Sequence, residues 1–234
     1  FCPAASMNSR PLQVVLQRCG VYDRQGYDRQ GVAATIDTAF GRLGWGGGFH
    51  GRTVLLKPNL ISTTGPQLSC THPEFIAGVA SCLLDGGAKV LLGDSPAFGN
   101  TVRVCEKKGI AAALRGMDVR LVNFTHPLPQ KLASGLTVTV AREALECDLL
   151  IGLPKVKAHN QMYVSFAVKN LFGIVKGVNK AMLHMVHGRT DDFAGIIVEL
   201  VDLLPAQLHL ADGIVAMHRS GPLDGAPLAL GCIA

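Results

Sequence analysis

The sequence has few charged residues and no long hydrophobic run, and these two shortages exclude several classes of protein. Charged residues make up 17% of the 234 residues, whereas hydrophobic residues make up 48%. A chain of that composition can bury a core, so we expect it to fold rather than to stay disordered. No apolar run approaches the roughly 20 residues that cross a bilayer, and residues 1–10 lack the pattern of a secretory signal. We therefore predict no membrane partner.

Cysteine is present but poorly placed for cross-linking or for cluster binding. The seven cysteines are odd in number, and no two of them have Cys-x-x-Cys spacing. A disulfide framework and a ferredoxin-type cluster are therefore both poorly supported. We interpret several cysteines as small core residues and predict a reducing, cytoplasmic location.

Signatures of nucleotide and nucleic-acid binding are also lacking. The net charge is only +5, and no run of lysine and arginine forms a basic stripe, so no nucleic-acid partner is predicted. The chain contains neither a G-x-x-x-x-G-K-[ST] phosphate loop nor a G-x-S-x-G elbow. Gly46, Gly48 and Gly51 match G-x-G-x-x-G, but they follow a predicted helix and precede a strand, the reverse of a dinucleotide site. We interpret them as a flexible connection.

Predicted strands and helices alternate along most of the chain. Apolar and β-branched runs predict strands at 12–17, 53–56, 89–92, 119–124, 136–141, 148–152 and 208–211. Helices are predicted at 32–43, 73–85, 101–108, 159–175 and 193–203, with Thr71 as the cap of the second and Gly86-Gly87 as its end. This alternation predicts an α/β fold, a mostly parallel sheet with helices on both faces.

The sequence indicates two parts of the chain. Residues 1–10 are expected to be a tag or a flexible N-terminus, and residues 11–234 to form a single α/β domain. A division into two subdomains stays open.

Polar groups follow four of the predicted strands. They are Lys57 with Asn59, Asp94 with Ser95, Lys155, and Asp212. Ligands of open parallel sheets bind outside the carboxyl ends of the strands, so we predict that these side chains share one ligand-binding rim. Asp94 and Asp212 could instead hold a divalent cation through their oxygens.

The segment 153–188 is rich in basic side chains and contains no acidic one. Its basic residues are Lys155, Lys157, Lys169, Lys176, Lys180, His159, His184 and His187. A bound anion would neutralise that charge, so a small anionic ligand is predicted as a partner. Lys169 interrupts an apolar stretch, where it would either reach solvent or, if buried, serve as a nucleophile or a ligand tether.

The predicted helix 159–175 carries two stripes. The stripe expected to face the core consists of Val164, Val168, Leu171 and Val175, and the other consists of Phe166, Lys169, Asn170, Gly173 and Gly177. Glycine costs a helix roughly 1 kcal/mol against alanine, so Gly173 and Gly177 indicate either a close approach to the backbone or the end of the helix.

His184 and His187 share one helix face if that part of the chain is helical. Such a pair could bind a divalent metal, nickel or iron, with His159 as a third ligand or as a proton shuttle. Two exposed histidines near a helix end are the alternative.

Six blocks in the same order resemble the domain-of-unknown-function family 362. They are LLKPNL (55–60), THPE (71–74), GDSPAFG (93–99), DLLIGLPKVKAH (148–159), AVKNLFGIVKG (167–177) and the segment 211–227. The resemblance implies an uncharacterised protein of a family often associated with iron–sulfur modules. It also implies further sequence beyond Cys232, so the domain would lack its C-terminal end. No cysteine motif supports carrying the cluster over.

The blocks 148–159 and 167–177, followed by a histidine, are also distantly similar to the nickel-pincer lactate racemases. That similarity implies Lys169 as the tether of the cofactor, His184 as a nickel ligand and His159 as a general acid and base. Two features depart from it. Ala167-Val168 stand where paired glycines are expected, and the loop 93–99 lacks a histidine, for which His72 and His126 are the substitutes in the chain.

Two functional hypotheses follow, and whether the chain is an enzyme stays open. In the first, the protein is an enzyme with His159 and Lys169 as catalytic residues. Its ligand-binding residues are Lys57, Asn59, Asp94, Ser95, Lys155, Asn170, Gly173 and Asp212. In the second, it is a non-catalytic accessory protein that handles a metal or cofactor for a redox partner protein.

Overall fold

The computed structural model describes residues 13–19, 27–176, 183 and 190–234. Its helices are α1 (Arg29–Arg42), α2 (Pro73–Asp85), α3 (Thr101–Lys107), α4 (Ile110–Ala113), α5 (Arg142–Glu146), α6 (Ala167–Leu171) and α7 (Thr190–Asp202). Its strands are β1 (Gln17–Arg18), β2 (Thr53–Pro58), β3 (Lys89–Asp94), β4 (Val119–Asn123), β5 (Pro127–Lys131), β6 (Thr137–Ala141), β7 (Leu149–Leu153), β8 (Lys155–His159), β9 (Tyr163–Ser165), β10 (Gln207–His209), β11 (Asp212–His218) and β12 (Ala226–Ile233).

Five strands form a fully parallel sheet in the order β10-β7-β2-β3-β4. Successive side chains of β2 face two different apolar clusters in turn. Val54 and Leu56 of β2 belong to a core cluster that includes α1 and α2 side chains, whereas Leu55 belongs to a second cluster that includes α7 side chains. Both faces of the sheet are therefore covered, as parallel sheets require. The prediction of an α/β fold with a mostly parallel sheet is confirmed.

A second sheet has the order β1-β12-β11-β8-β9 and is mixed. Only β8 and β11 run parallel in it, and the other neighbours are antiparallel. Strands β5 and β6 form a separate antiparallel pair. The sequence predicted neither the second sheet nor β5. Proline interrupts β5 and β12, and lysines and a histidine interrupt β8, so no continuous apolar run marks these strands.

Helix α2 shows how local chemistry sets the limits of an element. Pro73 occupies its first position, where a missing N–H costs nothing, and Gly87 follows its end with a left-handed φ of 77°. The predicted end at Asp85 is confirmed. The predicted cap is wrong: His72 is the N-cap, and its Nδ1 accepts from the N–H of Glu74. Thr71 instead donates its hydroxyl to the carbonyl of Leu153.

The largest error concerns residues 159–175, which are not one helix. Strand β8 ends at His159, strand β9 follows, and α6 covers only residues 167–171 before a 3-10 turn at Phe172–Ile174. The predicted core stripe is divided accordingly, because Leu171 and Val175 are fully buried whereas Val164 is 50% exposed. Gly177 lies outside the described residues.

Two other sequence predictions can be compared with the described ranges. No helix within them is both long and apolar enough to span a membrane. Six cysteines are described and all are free thiols, four of them buried: Cys19, Cys70, Cys105 and Cys147. The interpretation of several cysteines as core residues is therefore confirmed.

Candidate functional site

A pocket of about 270 Å³ lies where the ends of β2, β3 and β8 meet α6. Eight of the residues singled out from the sequence line it: Lys57, Asn59, Asp94, Ser95, His159, Lys169, Asn170 and Gly173. The remaining lining residues are Leu60, Ile61, Ala97, Phe98, Ser165, Phe172, Pro222 and Leu223. The carboxyl ends of neighbouring strands thus bring distant parts of the chain to one cavity, as in other open parallel sheets.

Lys57 and Asp94 form a buried ion pair in the floor of this pocket. Their Nζ and Oδ1 atoms are 2.8 Å apart, and the side chains are 1% and 3% exposed. The ammonium also donates to the carbonyl of Pro58 at 3.1 Å and to Asn170 Oδ1 at 3.2 Å. The ammonium thus has two hydrogen-bond acceptors and one carboxylate partner around it. Burial lowers the pKa of Lys57, and Asp94 opposes that shift.

The floor continues through two asparagines to a second lysine. Asn170 donates to the carbonyl of Lys57 at 3.0 Å, and its Oδ1 accepts from Asn59 at 3.2 Å. Asn59 Oδ1 in turn accepts from Lys157, which also donates to the carbonyl of Ser69 at 2.6 Å. Burial lowers the pKa of Lys157 to about 7, since the side chain is 1% exposed and no carboxylate pairs with it within the described ranges.

Gly173 has a steric reason to be glycine. A Cβ at this position would collide with Asp94 Oδ1 and Lys57 Nζ. Its carbonyl accepts from the N–H of Ser95 at 2.9 Å, which ties the 3-10 turn to the end of β3. The close approach predicted from the glycine is therefore real, but the group that approaches is the protein's own ion pair.

Lys169 differs from the other lysines of the pocket. It has no hydrogen bond or ion pair with any residue in the described ranges, and Asp23 is the only acidic residue outside those ranges. Burial and the charge of Lys57 lower the pKa of Lys169 to about 8. Lys169 is thus a partly buried cation with no counter-charge in the pocket.

His159 stands at the end of β8 with one ring nitrogen already used. Its Nδ1 accepts from the N–H groups of Gln161 and Met162, both at 3.2 Å. These contacts favour the tautomer that carries its proton on Nε2, which makes the ring a hydrogen-bond donor.

One wall of the pocket is apolar. Phe98 is 74% exposed and Leu223 is 37% exposed, and both contribute to the lining together with Phe172 and Pro222. The site therefore combines a polar, charged floor with a hydrophobic rim, the usual composition of a small-molecule pocket.

Lys155 and Asp212 do not line this pocket. Their Nζ and Oδ2 atoms are 2.9 Å apart in a second buried pair. The Tyr27 hydroxyl donates to Asp212 Oδ1 at 2.6 Å and accepts from Lys155 at 2.8 Å. The His72 ring stacks on Tyr27 with centroids 3.7 Å apart. Lys155 begins β8 and Asp212 begins β11, and the parallel pairing of these two strands places the two residues opposite each other.

The predicted metal ligands His184 and His187 lie outside the described residues. Within the described ranges no group of three or more His, Cys, Asp and Glu side chains is placed to hold a metal ion. The described pocket lining offers one histidine and no thiolate, while His72 lies beside Tyr27 and His126 is exposed. The described residues alone therefore do not form a nickel ligand set, and the metal site stays a prediction.

A larger cleft of about 470 Å³ lies elsewhere, between α1 and the turns near Trp45. The charged side chains that line it are Asp37 and Asp85, both acidic. An anionic ligand would be repelled there, so this cleft does not compete with the pocket at Lys169.

Sequence reasoning did not assign Lys157 or Tyr27 to a site. Lys155 and Lys157 lie two positions apart and so share one face of β8, but no strand was predicted at these residues. Tyr27 begins the second copy of a tandem YDRQG repeat (residues 22–31), and nothing in that repeat indicates a contact with a residue 185 positions away.

The fold is that of an α/β protein with a pocket at the carboxyl ends of its strands. The chain belongs to the family described as "Domain of unknown function (DUF362)", whose pattern matches residues 54–234. It is 36% identical over 215 residues to the thylakoid-associated protein sll1697 of Synechocystis sp., a match that covers 90% of this chain and 67% of that protein.

Two solved structures are similar at a lower level. One is a protein from Thermotoga maritima, with 15% identity, a TM-score of 0.48 and coverage of 86% of this chain and 54% of the other. The second is the lactate racemase apoprotein from Thermoanaerobacterium thermosaccharolyticum, with 15% identity, a TM-score of 0.49 and coverage of 82% and 46%. The chain thus spans about half the length of these structures, and neither assigns a role to a residue of this chain.

Proposed function

We propose that this protein is an enzyme that acts on a small anionic molecule bound in the pocket at the ends of β2, β3 and β8. The observation that carries the proposal is the uncompensated charge of Lys169. Asp94 neutralises Lys57, so one positive charge is left over in a pocket that is largely shielded from water. A ligand with one negative charge would balance it.

The magnitude of this attraction is large enough to matter. Two unit charges 4 Å apart gain about 4 kcal/mol at an effective dielectric constant of about 20. That is roughly a thousandfold in affinity before the costs of desolvation and ordering are subtracted. The floor groups Asn59 and Ser95 and the Nε2 donor of His159 would orient the anion.

The pocket's second property supports an enzyme rather than a simple anion store. Lys169 and His159 are residue types that serve as acids and bases in enzymes, and they line one cavity. A buried store of anions would need charge alone, whereas acid–base chemistry needs groups of this kind.

We further propose that the protein works in a reducing compartment, the cytoplasm. The six free thiols of the described ranges support this location. The relative from Synechocystis is named for its association with thylakoids, so fractionation of the native protein between soluble and membrane material tests the proposal.

The test of function uses a panel of small anions: acetate, lactate, pyruvate and inorganic phosphate. Titration calorimetry on the wild-type protein is expected to find one site, and Lys169→Met to weaken binding at least tenfold. Lys89→Met is the matched control. Lys89 is exposed at the start of β3, and its substitution removes the same charge from the protein. Equal affinity of all three proteins, or no binding of any anion, contradicts the proposal.

A further inference from the structure

The amine of Lys169 meets the structural conditions for a nucleophile. It lines a cavity that a small molecule can enter, and no carboxylate within the described ranges holds it as an ammonium. With a pKa of about 8, roughly one amine in ten is neutral at pH 7, against fewer than one in a thousand for an ordinary lysine. A lysine beside a second cation in a desolvated site is a recognised route to such activation.

Lys57 does not meet the same conditions although it lies nearby. Its ammonium is paired with Asp94 and its remaining donors bind Pro58 and Asn170. It has no lone pair to offer and no freedom to move, since Gly173 closes over the pair. The two lysines therefore have different roles. Lys57 supplies a fixed charge, and Lys169 supplies the reactive nitrogen.

The size and polarity of the pocket limit the electrophile. A cavity of about 270 Å³ is smaller than the roughly 300–1,000 Å³ typical of drug-sized ligands, so it suits a molecule of few heavy atoms. A carbonyl carbon is the electrophile that an amine attacks reversibly without a further reactant.

Charge balance selects among carbonyl compounds. An amine that condenses with a carbonyl becomes a protonated imine, so the positive charge at Lys169 persists after the reaction. A carboxylate on the same molecule would neutralise that charge, whereas a neutral aldehyde or ketone would leave it uncompensated.

We propose that Lys169 forms an imine with the carbonyl carbon of a small oxo acid. This inference rests on the proposed function and names its substrate class. The lone pair of neutral Lys169 forms a bond to the carbonyl carbon, and the π electrons move to oxygen, which takes up a proton. The carbinolamine then passes one proton from nitrogen to that oxygen, which leaves as water, and a C=N bond with one hydrogen on the nitrogen remains. The lysine ammonium and the carbonyl thus give a protonated imine and one water, with no oxidant or reductant.

The experiment traps the imine. The folded protein is incubated with pyruvate and sodium cyanoborohydride, and intact mass and peptide mapping locate the reduced adduct. We expect one adduct per chain, on Lys169, and far less labelling with acetone, which has no carboxylate. Lys176→Arg is the control, since it removes a neighbouring lysine and should leave the adduct intact. Glyoxylate and 2-oxobutyrate extend the panel to shorter and longer oxo acids.

Lys169→Arg separates this inference from the proposed function. Arginine keeps the positive charge but is not a nucleophile, so the variant is expected to bind pyruvate and to form no adduct. Pyruvate binding by the wild-type protein without a Lys169 adduct overturns the imine and leaves the proposed function standing. Adducts spread over surface lysines overturn it as well. Loss of all anion binding by the wild-type protein overturns both.

Discussion

Two buried lysine–aspartate pairs lie at strand ends of this protein, and they are built alike but surrounded differently. Lys57–Asp94 has its atoms 2.8 Å apart and Lys155–Asp212 has them 2.9 Å apart, with every side chain at most 3% exposed. The second pair is completed by Tyr27, which bonds to both partners. The first is completed by the backbone of β2 and by Asn170, and it has another cation, Lys169, beside it.

The difference separates a structural role from a functional one. Around Lys155 the charges sum to zero, and the cavity of about 240 Å³ beside it holds no other lysine or arginine among its described lining residues. Around Lys57 one charge is in excess, and the cavity there has several polar groups in its wall. A buried ion pair is thus not a sign of a site by itself; the uncompensated group next to it is.

The largest effect that tests this comparison is on stability. Asp212→Asn leaves Lys155 buried without a carboxylate, and we expect the free energy of unfolding to fall by about 3–5 kcal/mol. Asp94→Asn should cost less, because the ammonium of Lys57 keeps two acceptors, the Pro58 carbonyl and Asn170 Oδ1, whereas that of Lys155 keeps the Tyr27 hydroxyl alone within the described ranges. Urea denaturation at pH 7 measures both.

If Asp94→Asn costs as much as Asp212→Asn or more, the remaining acceptors do not stabilise the ammonium of Lys57. The contrast between the two pairs would then be wrong. Equal slopes of unfolding free energy against urea are needed for the comparison, since a changed slope indicates a changed unfolded state.

The next effect concerns Lys157, which lies on the same face of β8 as Lys155 but has no carboxylate partner within the described ranges. Burial lowers its pKa to about 7. Between pH 7 and pH 10 the unfolded chain therefore binds more protons at this residue than the folded one, and stability rises with pH in that window. In Lys157→Met we expect this slope to shrink by up to about 1.4 kcal/mol per pH unit.

Urea denaturation from pH 7 to pH 9.5 measures that slope. Lys89→Met is the control, because an exposed lysine titrates alike in both states and should leave the slope unchanged. A Lys157→Met slope equal to that of the wild type would mean that Lys157 stays charged when buried, held by Asn59 and Ser69.

The sequence was sufficient to predict the parallel sheet but not the second, mixed sheet. Runs such as Thr53–Leu56 are apolar, β-branched and bounded by Gly and Pro, so type and limits could be predicted within two residues. Strand β8 carries two buried lysines and a half-buried histidine. Strand β9 begins at Tyr163, whose left-handed φ of 61° the residue type does not indicate.

The sequence predicted which residues line the site better than it predicted which of their charges pair. Strand ends identified Lys57, Asn59, Asp94 and Ser95, because parallel neighbours end at one edge. The partner of each charge depended on sheet order, which separated Lys155 and Asp212 from the others. That Lys169 would stay unpaired while Lys57 would not is a consequence of three-dimensional packing around Gly173, and no spacing rule in the sequence contains it.

The smallest expected effect is on the free energy of unfolding of Lys169→Met, and its sign is opposite to that of the two aspartate substitutions. Lys169→Met removes a partly buried cation that lies near Lys57 and has no partner within the described ranges, so it should leave the free energy of unfolding unchanged or raise it by up to about 1 kcal/mol. Groups that serve a ligand are commonly kept at some cost in stability, which their removal recovers. Denaturation of this variant beside Lys89→Met, at pH 7 and without ligand, gives the comparison. A loss of 2 kcal/mol or more (about a thirtyfold change in the folding equilibrium) would make Lys169 a structural residue like Lys155 and remove the distinction between the two regions.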